Sequence, residues 1–496
     1  MILHAAGVLV LLLLSLLGIM LVKTFSLKSK QIAPGPWQPV SVDGDGAAQR
    51  LSDAVQYQTV AMQEETPDAA RAFLDLHDHL KRSFPKVHQE IQRDTVNRFS
   101  LLYKWQGSDP TAIPFLFIAH LDVVPANDEG WDHPPFSGAM EDGFIWGRGT
   151  ADDKGSALAL LEAMETLLKE GFRPESTIYV ALGHDEETGG QMGAHAIVDH
   201  LASEGIRLAF TLDEGGGILQ GVFPGIDDPV GFIAVAEKGY VTMEMTAKAE
   251  AGHSSMPPRA TAIGRLSRAI TRLEKHPMPA RLTGLGRLTF ETLAPEMRFP
   301  FRFALSNLWL LSGPMKLFLS KLPAANAAIR TTTAPTIAHA GSKDNVLPAK
   351  AKGTVNFRLL PGDSIQDVLL HAQRVIDDPE VQIHATEESV EASPVSDHDN
   401  AVFAALAETI RQTFPDAIVA PTLTLGATDS KHFGEISDRC YRFHPLVLKK
   451  NELAMIHGKN ERVSVKNHIN CIQFYAQIMR RMGRGHSSLE LDRPSQ

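Results

Sequence analysis

The chain has 496 residues, 44 % of them hydrophobic and 21 % charged, a composition that excludes a disordered, fibrous or many-pass membrane protein and allows about two to four domains. Its 48 basic and 58 acidic side chains leave a net charge of −10, which argues against nucleic acid as a partner. Two cysteines, Cys440 and Cys471, are too few for a disulfide framework or a thiolate zinc module, so any metal must be held by histidines and carboxylates.

From Ile2 to Val22 no side chain carries a formal charge, and the run is long enough to cross a bilayer as one helix. A signal peptide needs a basic start, a shorter apolar core and a small-x-small cleavage site, none of which GIMLVKTFSLKSK supplies cleanly. The expectation is an uncleaved single-pass anchor over 1–25, with secretion after cleavage as the alternative. Lys23, Lys28 and Lys30 would place the large domain in the cytoplasm by the positive-inside rule, whereas such segments commonly export the domain behind them, so both orientations stay open. Residues 26–44 read as a Pro-rich linker.

Apolar residues at Ala69, Phe73, Leu76 and Leu80 mark an amphipathic helix. FLFIAHLDVVP and STIYVALGHDEE are short β-forming runs that end in charged residues, and KGSALALLEAMETLLKEG between them has helical spacing. Strand, helix, strand predicts an α/β layer with a mainly parallel central sheet and a site outside the carboxyl ends of its strands. VTMEMTAKAEA alternates like a half-exposed strand, AIGRLSRAITRLEKH is helical, KGTVNFRLLPG is a strand and SIQDVLLHAQRVIDD is helical, which predicts a smaller inserted α+β domain. The expected organisation is therefore a catalytic domain over 45–237 and 387–486, an inserted domain over 238–386 and a tail over 487–496.

Five features carry candidate chemistry. His120 and Asp122 lie on one face of a strand end, where the carboxylate can support the ring of a metal-binding imidazole. WGRGTADDKG offers Asp152 and Asp153 before a helix, either as a cap or as a carboxylate presented to a cation. Glu186 and Glu187 are adjacent acids at a strand end, suited to one ligand and one general base. TLDEGGG brings an apolar strand up to Asp213, and MIHGKNERV presents His457. Singly each fits an ordinary structural role; together they suit two divalent ions, zinc above all, bridged by one carboxylate.

The ordered motifs HLDVVP, GRGTADDKG, EETGG, LDEGG, GHSSMPP, NVLP and HGKNE resemble the dizinc aminoacylase and carboxypeptidase family. NLWLL, IRTTTAPTIAHAG, DNVLPAKAKGTVNFRLLPG and GATDSKHF are most similar to its carboxypeptidase S and N-fatty-acyl-amino-acid synthase/hydrolase branch, and the likeness runs over about 45–482. The resemblance implies a dizinc exopeptidase-like catalytic domain with a lid that dimerises. It makes Asp152 the bridging ligand, with His120 and Asp213 on one ion and Glu187 and His457 on the other. Cobalt or manganese would be possible substitutes for zinc. It makes Glu186 the general base, assigns Asp122 to orienting His120, and implies a cis peptide between Asp152 and Asp153. His253 would reach across a homodimer to the partner's active site, and Asn345 and Arg358 would bind substrate. One departure is Lys431, a point charge where the branch carries an arginine fork.

On this reading the substrate is an N-acyl amino acid, and the same site run backward condenses the two halves. A carboxypeptidase S-like action on dipeptides shares every motif, and a binding protein without catalysis is the third reading. The aromatic stretch 290–322 suits a fatty-chain channel, a membrane surface or a helical pair buried in the lid or a dimer contact.

Overall fold

A computed structural model describes residues 2–61 and 66–484. The proposed tail, 487–496, lies outside the described residues. The apolar run at the start forms one helix, Ile2–Ser26, exposed along most of its length. The Pro-rich segment after it is a strap laid on the catalytic domain rather than a free linker. Gln31 exchanges hydrogen bonds of 3.0 and 2.7 Å with the Val419 backbone, Glu408 accepts from the Gly35 N–H at 3.0 Å, and Gln473 accepts from the Val40 N–H at 2.9 Å. Asp43 then caps the helix Gly44–Val55, its carboxylate accepting the Gly46 N–H.

The helix Pro67–Ser83 forms where the apolar spacing places it and buries Phe73, Leu76 and Leu80; Ala70 rather than Ala69 completes the buried stripe. Among the described residues the large sheet has ten strands and is mixed. Its centre is parallel: Phe115–His120 lies between Ile178–Gly183 and Thr211–Asp213, and Cys440–Arg442 pairs parallel with the last of these. Antiparallel strands, Gln92–Val96 and Ser100–Trp105, extend one side. Phe115–His120 and Ile178–Gly183 are buried at every position, as strands covered on both faces must be. The helix Lys154–Lys169 packs against them and is buried almost all round, which accounts for its apolar run Ala157–Leu161 and for the burial of Glu162 and Glu165.

The inserted domain is a four-stranded antiparallel sheet, in the order Thr332–Ala340, Lys350–Leu359, Gly239–Lys248, Val381–Ala385. Helices Ala262–Lys275 and Ile365–Ile376 supply the other half of its core. Strict alternation of buried and half-buried residues along Gly239–Lys248 matches the pattern in the sequence, and Ser364 with Asp367 forms a capping box on the second helix. The edge strands 332–340 and 381–385 are additions to the sequence expectation: the first lacks alternation, and the second alternates (Val381, Ile383, Ala385) over only five residues.

The stretch within 284–329 does not join the inserted domain's core. Its helices pack on the strands Val230–Glu237 and Ile418–Thr424 of the large sheet, in a separate cluster that includes Phe232, Phe290, Leu293, Leu305, Met315 and Ile418. Thr289 Oγ1 donates to the Pro421 carbonyl at 2.8 Å within that contact.

Candidate metal centre

The three parallel strands end at the same edge of the sheet, with His120 opposite Gly183 in register. Their carboxyl ends deliver His120, the Glu186–Glu187 turn and the Asp213–Glu214 pair to one place, as strand polarity in an α/β sheet requires. The loop before Lys154–Lys169 delivers Asp152 from below, and the turn after Leu453–Met455 delivers His457 from the far end of the chain.

Asp152 stands between two histidines. One oxygen lies 3.0 Å from His120 Nε2 and the other 3.0 Å from His457 Nε2. His457 Nε2 is also 3.1 Å from Glu187, and His120 Nε2 is 3.6 Å from Glu214. Ligand atoms of His120, Asp152 and Glu187, and those of His120, Glu186 and Glu214, lie within 4.8 Å of one another in each set.

Asp122 organises both sides of this arrangement. Its carboxylate is 3.2 Å from His120 Nδ1, leaving Nε2 turned toward Asp152. The same carboxylate accepts the Glu186 N–H at 3.3 Å and the Glu187 N–H at 3.0 Å, so it also sets the turn that carries the paired acids. The peptide between Asp152 and Asp153 is cis. Asp153 occupies the cap position of the Lys154–Lys169 helix but makes no capping bond, and both of its buried carboxylate oxygens are unpartnered.

Asp213, expected as a ligand, accepts the Glu214 N–H at 2.9 Å on one oxygen and the Ser430 N–H at 2.7 Å on the other, so its carboxylate also holds backbone. Glu214, the next residue, lies 3.6 Å from His120 Nε2. The acidic doublet in LDEGG, like the doublet in DEETGG, is the signal that could have found it.

Glu461, the last residue of HGKNE, is legible in the sequence only as part of that motif. It is fully buried, pairs with Arg148 and accepts the N–H groups of Gly149, Ala151 and Asp152 at 2.9, 2.9 and 3.2 Å. Its carboxylate therefore shapes the loop that presents Asp152. Burial pushes its pKa up to about 7 against the pull of Arg148. Asp429 is another buried acid, with both oxygens unpartnered, packed where a Cβ on Gly183 or Gly190 would meet it. Burial and the nearby Asp213 charge raise its pKa well above the carboxylate range.

The electrostatics fit a cation. No lysine or arginine pairs with Asp152, Glu187 or Glu214 among the described residues, and Glu187 Oε1 is buried without a partner. Hydrogen bonds to Asp152 and Glu187 raise His457 to about 10. At His120 burial opposes protonation, yet hydrogen bonds to Asp122, Asp152 and Glu214 outweigh it and raise the pKa well above the usual imidazole value. Burial, with the Asp152 charge adding to it, lifts Glu214 to about 7. Hard oxygen and imidazole donors crowded without a lysine or arginine are the donor set of a divalent ion such as zinc, and they are divided around Asp152 into two groups.

The remaining expected site residues lie in the inserted domain. His253 and Asn345 are neighbours on an exposed two-stranded ribbon, where the Ser254 N–H donates to the Asn345 carbonyl at 3.1 Å and Ser255 engages His253 Nδ1. Arg358 lies on the strand Lys350–Leu359 with its guanidinium 4.7 Å from the Tyr240 ring centre. No ion pair or hydrogen bond joins these three side chains to the His120 cluster among the described residues.

A model of peptidase family M20/M25/M40 matches residues 116–481. The chain is 42 % identical over 433 residues to the N-fatty-acyl-amino acid synthase/hydrolase PM20D1 of Xenopus tropicalis, covering 86 % of this chain and 84 % of that protein. It is 42 % identical over 438 residues to the probable carboxypeptidase S-like 2 of Dictyostelium discoideum, covering 87 % and 84 %. Among solved structures it resembles human carnosine dipeptidase 1, with a TM-score of 0.63 at 15 % identity over 89 % of this chain and 96 % of that one, a likeness of fold. The sheet, the inserted domain and the matched sequence agree: the chain belongs to peptidase family M20/M25/M40, a family of metallohydrolases.

Proposed function

We propose that this protein is a dizinc amidohydrolase that separates an acyl chain from the nitrogen of an amino acid bearing a free carboxylate. The observation that carries the reading is Asp152, whose two oxygens each face a different histidine at 3.0 Å. Asp152 would bridge two ions, with His120 and Glu214 toward one and Glu187 and His457 toward the other. Bound there, the ions would supply Lewis acidity, lowering the pKa of water and polarising the amide carbonyl.

Glu186 is the proton carrier. Burial dominates its environment and, together with the Glu214 and Asp429 charges, outweighs the pull of His120, so its affinity for a proton is raised well above that of an ordinary glutamate. A carboxylate so placed takes a proton from the attacking water as the new C–O bond forms, then gives it to the amide nitrogen as the C–N bond breaks. Asp122 keeps that glutamate in position by accepting its N–H. The reverse condensation uses the same proton path.

The lid supplies the rest. His253 donates to the substrate carbonyl oxygen, Arg358 grips the free carboxylate and Asn345 adds a polar contact. The exposure of His253 in one chain supports a homodimer in which the lid of one protomer completes the site of the other. The long acyl preference is supported by the 42 % identity to the Xenopus synthase/hydrolase, and a carboxypeptidase S-like action on dipeptides by the equal identity to the Dictyostelium protein. The N-terminal helix would anchor the enzyme to a membrane as a single span.

Hydrolysis of N-oleoyl-phenylalanine is to be compared with that of glycyl-leucine, with zinc and with a chelator. Faster cleavage of the acyl substrate, abolished by the chelator, is expected. Preferential cleavage of glycyl-leucine would favour the dipeptidase reading, and no cleavage of either with zinc supplied would remove the enzymatic one.

A further inference from the structure

The outward face of the helix Leu308–Leu319 has no polar side chain. Its exposed positions are Trp309, Leu310, Gly313, Pro314, Leu317 and Phe318, and Leu317 is 71 % exposed. The opposite face is apolar too, with Leu308, Met315 and Leu319 buried on the large sheet's edge cluster. Its two polar residues, Ser312 and Lys316, are half-buried on the flank; a surface helix facing water carries polar residues outward, and one that turns an apolar face outward as well as inward requires a second apolar environment.

The N-terminal helix identifies that environment, because its foot is built into the same helices. Asn307 is fully buried and donates through Nδ2 to the Met20 carbonyl at 3.2 Å and to Thr24 Oγ1 at 3.3 Å. Thr24 Oγ1 is 2.9 Å from Ser306 Oγ, and Arg302 donates to the carbonyls of Thr24 and Leu27 at 3.1 and 2.7 Å. Phe25 stacks on Phe299 at 5.8 Å, and the Lys23 ammonium sits 5.4 Å from the Trp309 ring centre. The uncharged run Ile2–Val22 that ends at Lys23 is 21 residues long and matches a hydrocarbon thickness of about 30 Å, which puts Lys23 at headgroup depth. Trp309, in contact with Lys23, is then at the depth that tryptophan favours, and the apolar face beside it meets the upper acyl region.

We propose that the helix Leu308–Leu319 and the exposed Phe299 form a platform that lies in the membrane interface, fixed there by the foot of the N-terminal span. The occupant of the apolar face is the lipid bilayer. Resting on the acyl-amino-acid reading above, the platform also holds the catalytic domain at the surface where a fatty-acyl substrate is dissolved, so the substrate reaches the enzyme from the lipid rather than from water.

The full chain is to be reconstituted in phosphatidylcholine vesicles, plain or with lipid brominated near the headgroup end of its acyl chains, with Trp309→Phe as the control for the other four tryptophans. Bromolipid is expected to quench the emission that the control lacks. In Leu310→Glu/Leu317→Glu/Phe318→Glu, which still floats with vesicles through its anchor, that quenching is expected to vanish. Equal quenching in wild type and Trp309→Phe, quenching that survives the triple substitution, or a chain that does not float with vesicles overturns the platform. The triple variant is also expected to lose hydrolysis of vesicle-dissolved oleoyl-phenylalanine while keeping that of water-dissolved acetyl-phenylalanine. If neither substrate is cut by the wild type, the functional reading fails and the quenching still decides the platform.

Discussion

In the catalytic domain, the acids around Asp152 are held by groups of the same chain. Asp122 fixes His120 and the 186–187 turn, Asp213 fixes the backbone of Glu214, and Glu461 fixes the 149–152 loop. In the lid, His253 and Asn345 stand on an exposed ribbon whose two strands are two residues each. The two regions differ in how much surrounding structure fixes them: the pocket is preorganised by buried carboxylates bonded to backbone, whereas the lid residues stand exposed on a short ribbon. Preorganisation is what makes a buried charge cluster useful, since its donors and acceptors do not have to be gathered when the substrate arrives.

The sharpest break would come from Glu186→Gln. It is expected to lower kcat by about 10²–10⁴ while zinc content and fold stay unchanged, because only the proton carrier is removed. Loss of metal in that variant would move Glu186 from proton carrier to ligand. Next is Glu461→Gln, which leaves Arg148 buried without its counter-charge and weakens the loop under Asp152. A destabilisation of about 3–5 kcal/mol in denaturant unfolding is expected. An unfolding midpoint equal to wild type would show that the loop is held by something else.

His253→Ala tests the lid half of the comparison. A fall of about 10² in kcat with metal content intact is expected. Mixing His253→Ala with Glu186→Gln chains should restore part of the activity, since a mixed dimer then contains one intact site. No restoration would place the histidine's action within its own chain. The smallest effect is on stability against pH, read at two buried histidines outside the Asp152 cluster. His77 and His468 are held neutral chiefly by burial, with pKa values lowered to about 4, while the unfolded chain protonates near 6.5. The unfolded state binds more protons in this window, so their contribution is full above about pH 7 and is lost as pH falls toward 4. His468→Gln should flatten that slope in a series of melting temperatures, and an unchanged slope would assign the acid sensitivity elsewhere.

Much of the site is legible in the sequence because strand polarity is legible. Apolar runs ending in His120, Glu186 and Asp213 announce parallel strands whose ends converge, and the structure gathers them. The pattern does not carry which member of an acidic doublet turns inward. The short Asp213 side chain accepts two backbone N–H groups, while the longer Glu214 side chain reaches to 3.6 Å from His120. Glu461 is hidden for a related reason, since its work is to accept backbone donors whose direction no local spacing records. The stretch within 284–329 reads as part of the inserted domain because it lies between that domain's strands in sequence, yet its apolar face matches the edge of the large sheet.

The most direct measurement is the metal content of the purified, zinc-loaded and desalted full chain, taken for wild type, Glu214→Ala and Asp213→Asn. Two ions per chain in the wild type and one in Glu214→Ala, with two retained in Asp213→Asn, is the expected result. A wild type that holds no stoichiometric zinc, or a loss confined to Asp213→Asn, would contradict the arrangement around Asp152.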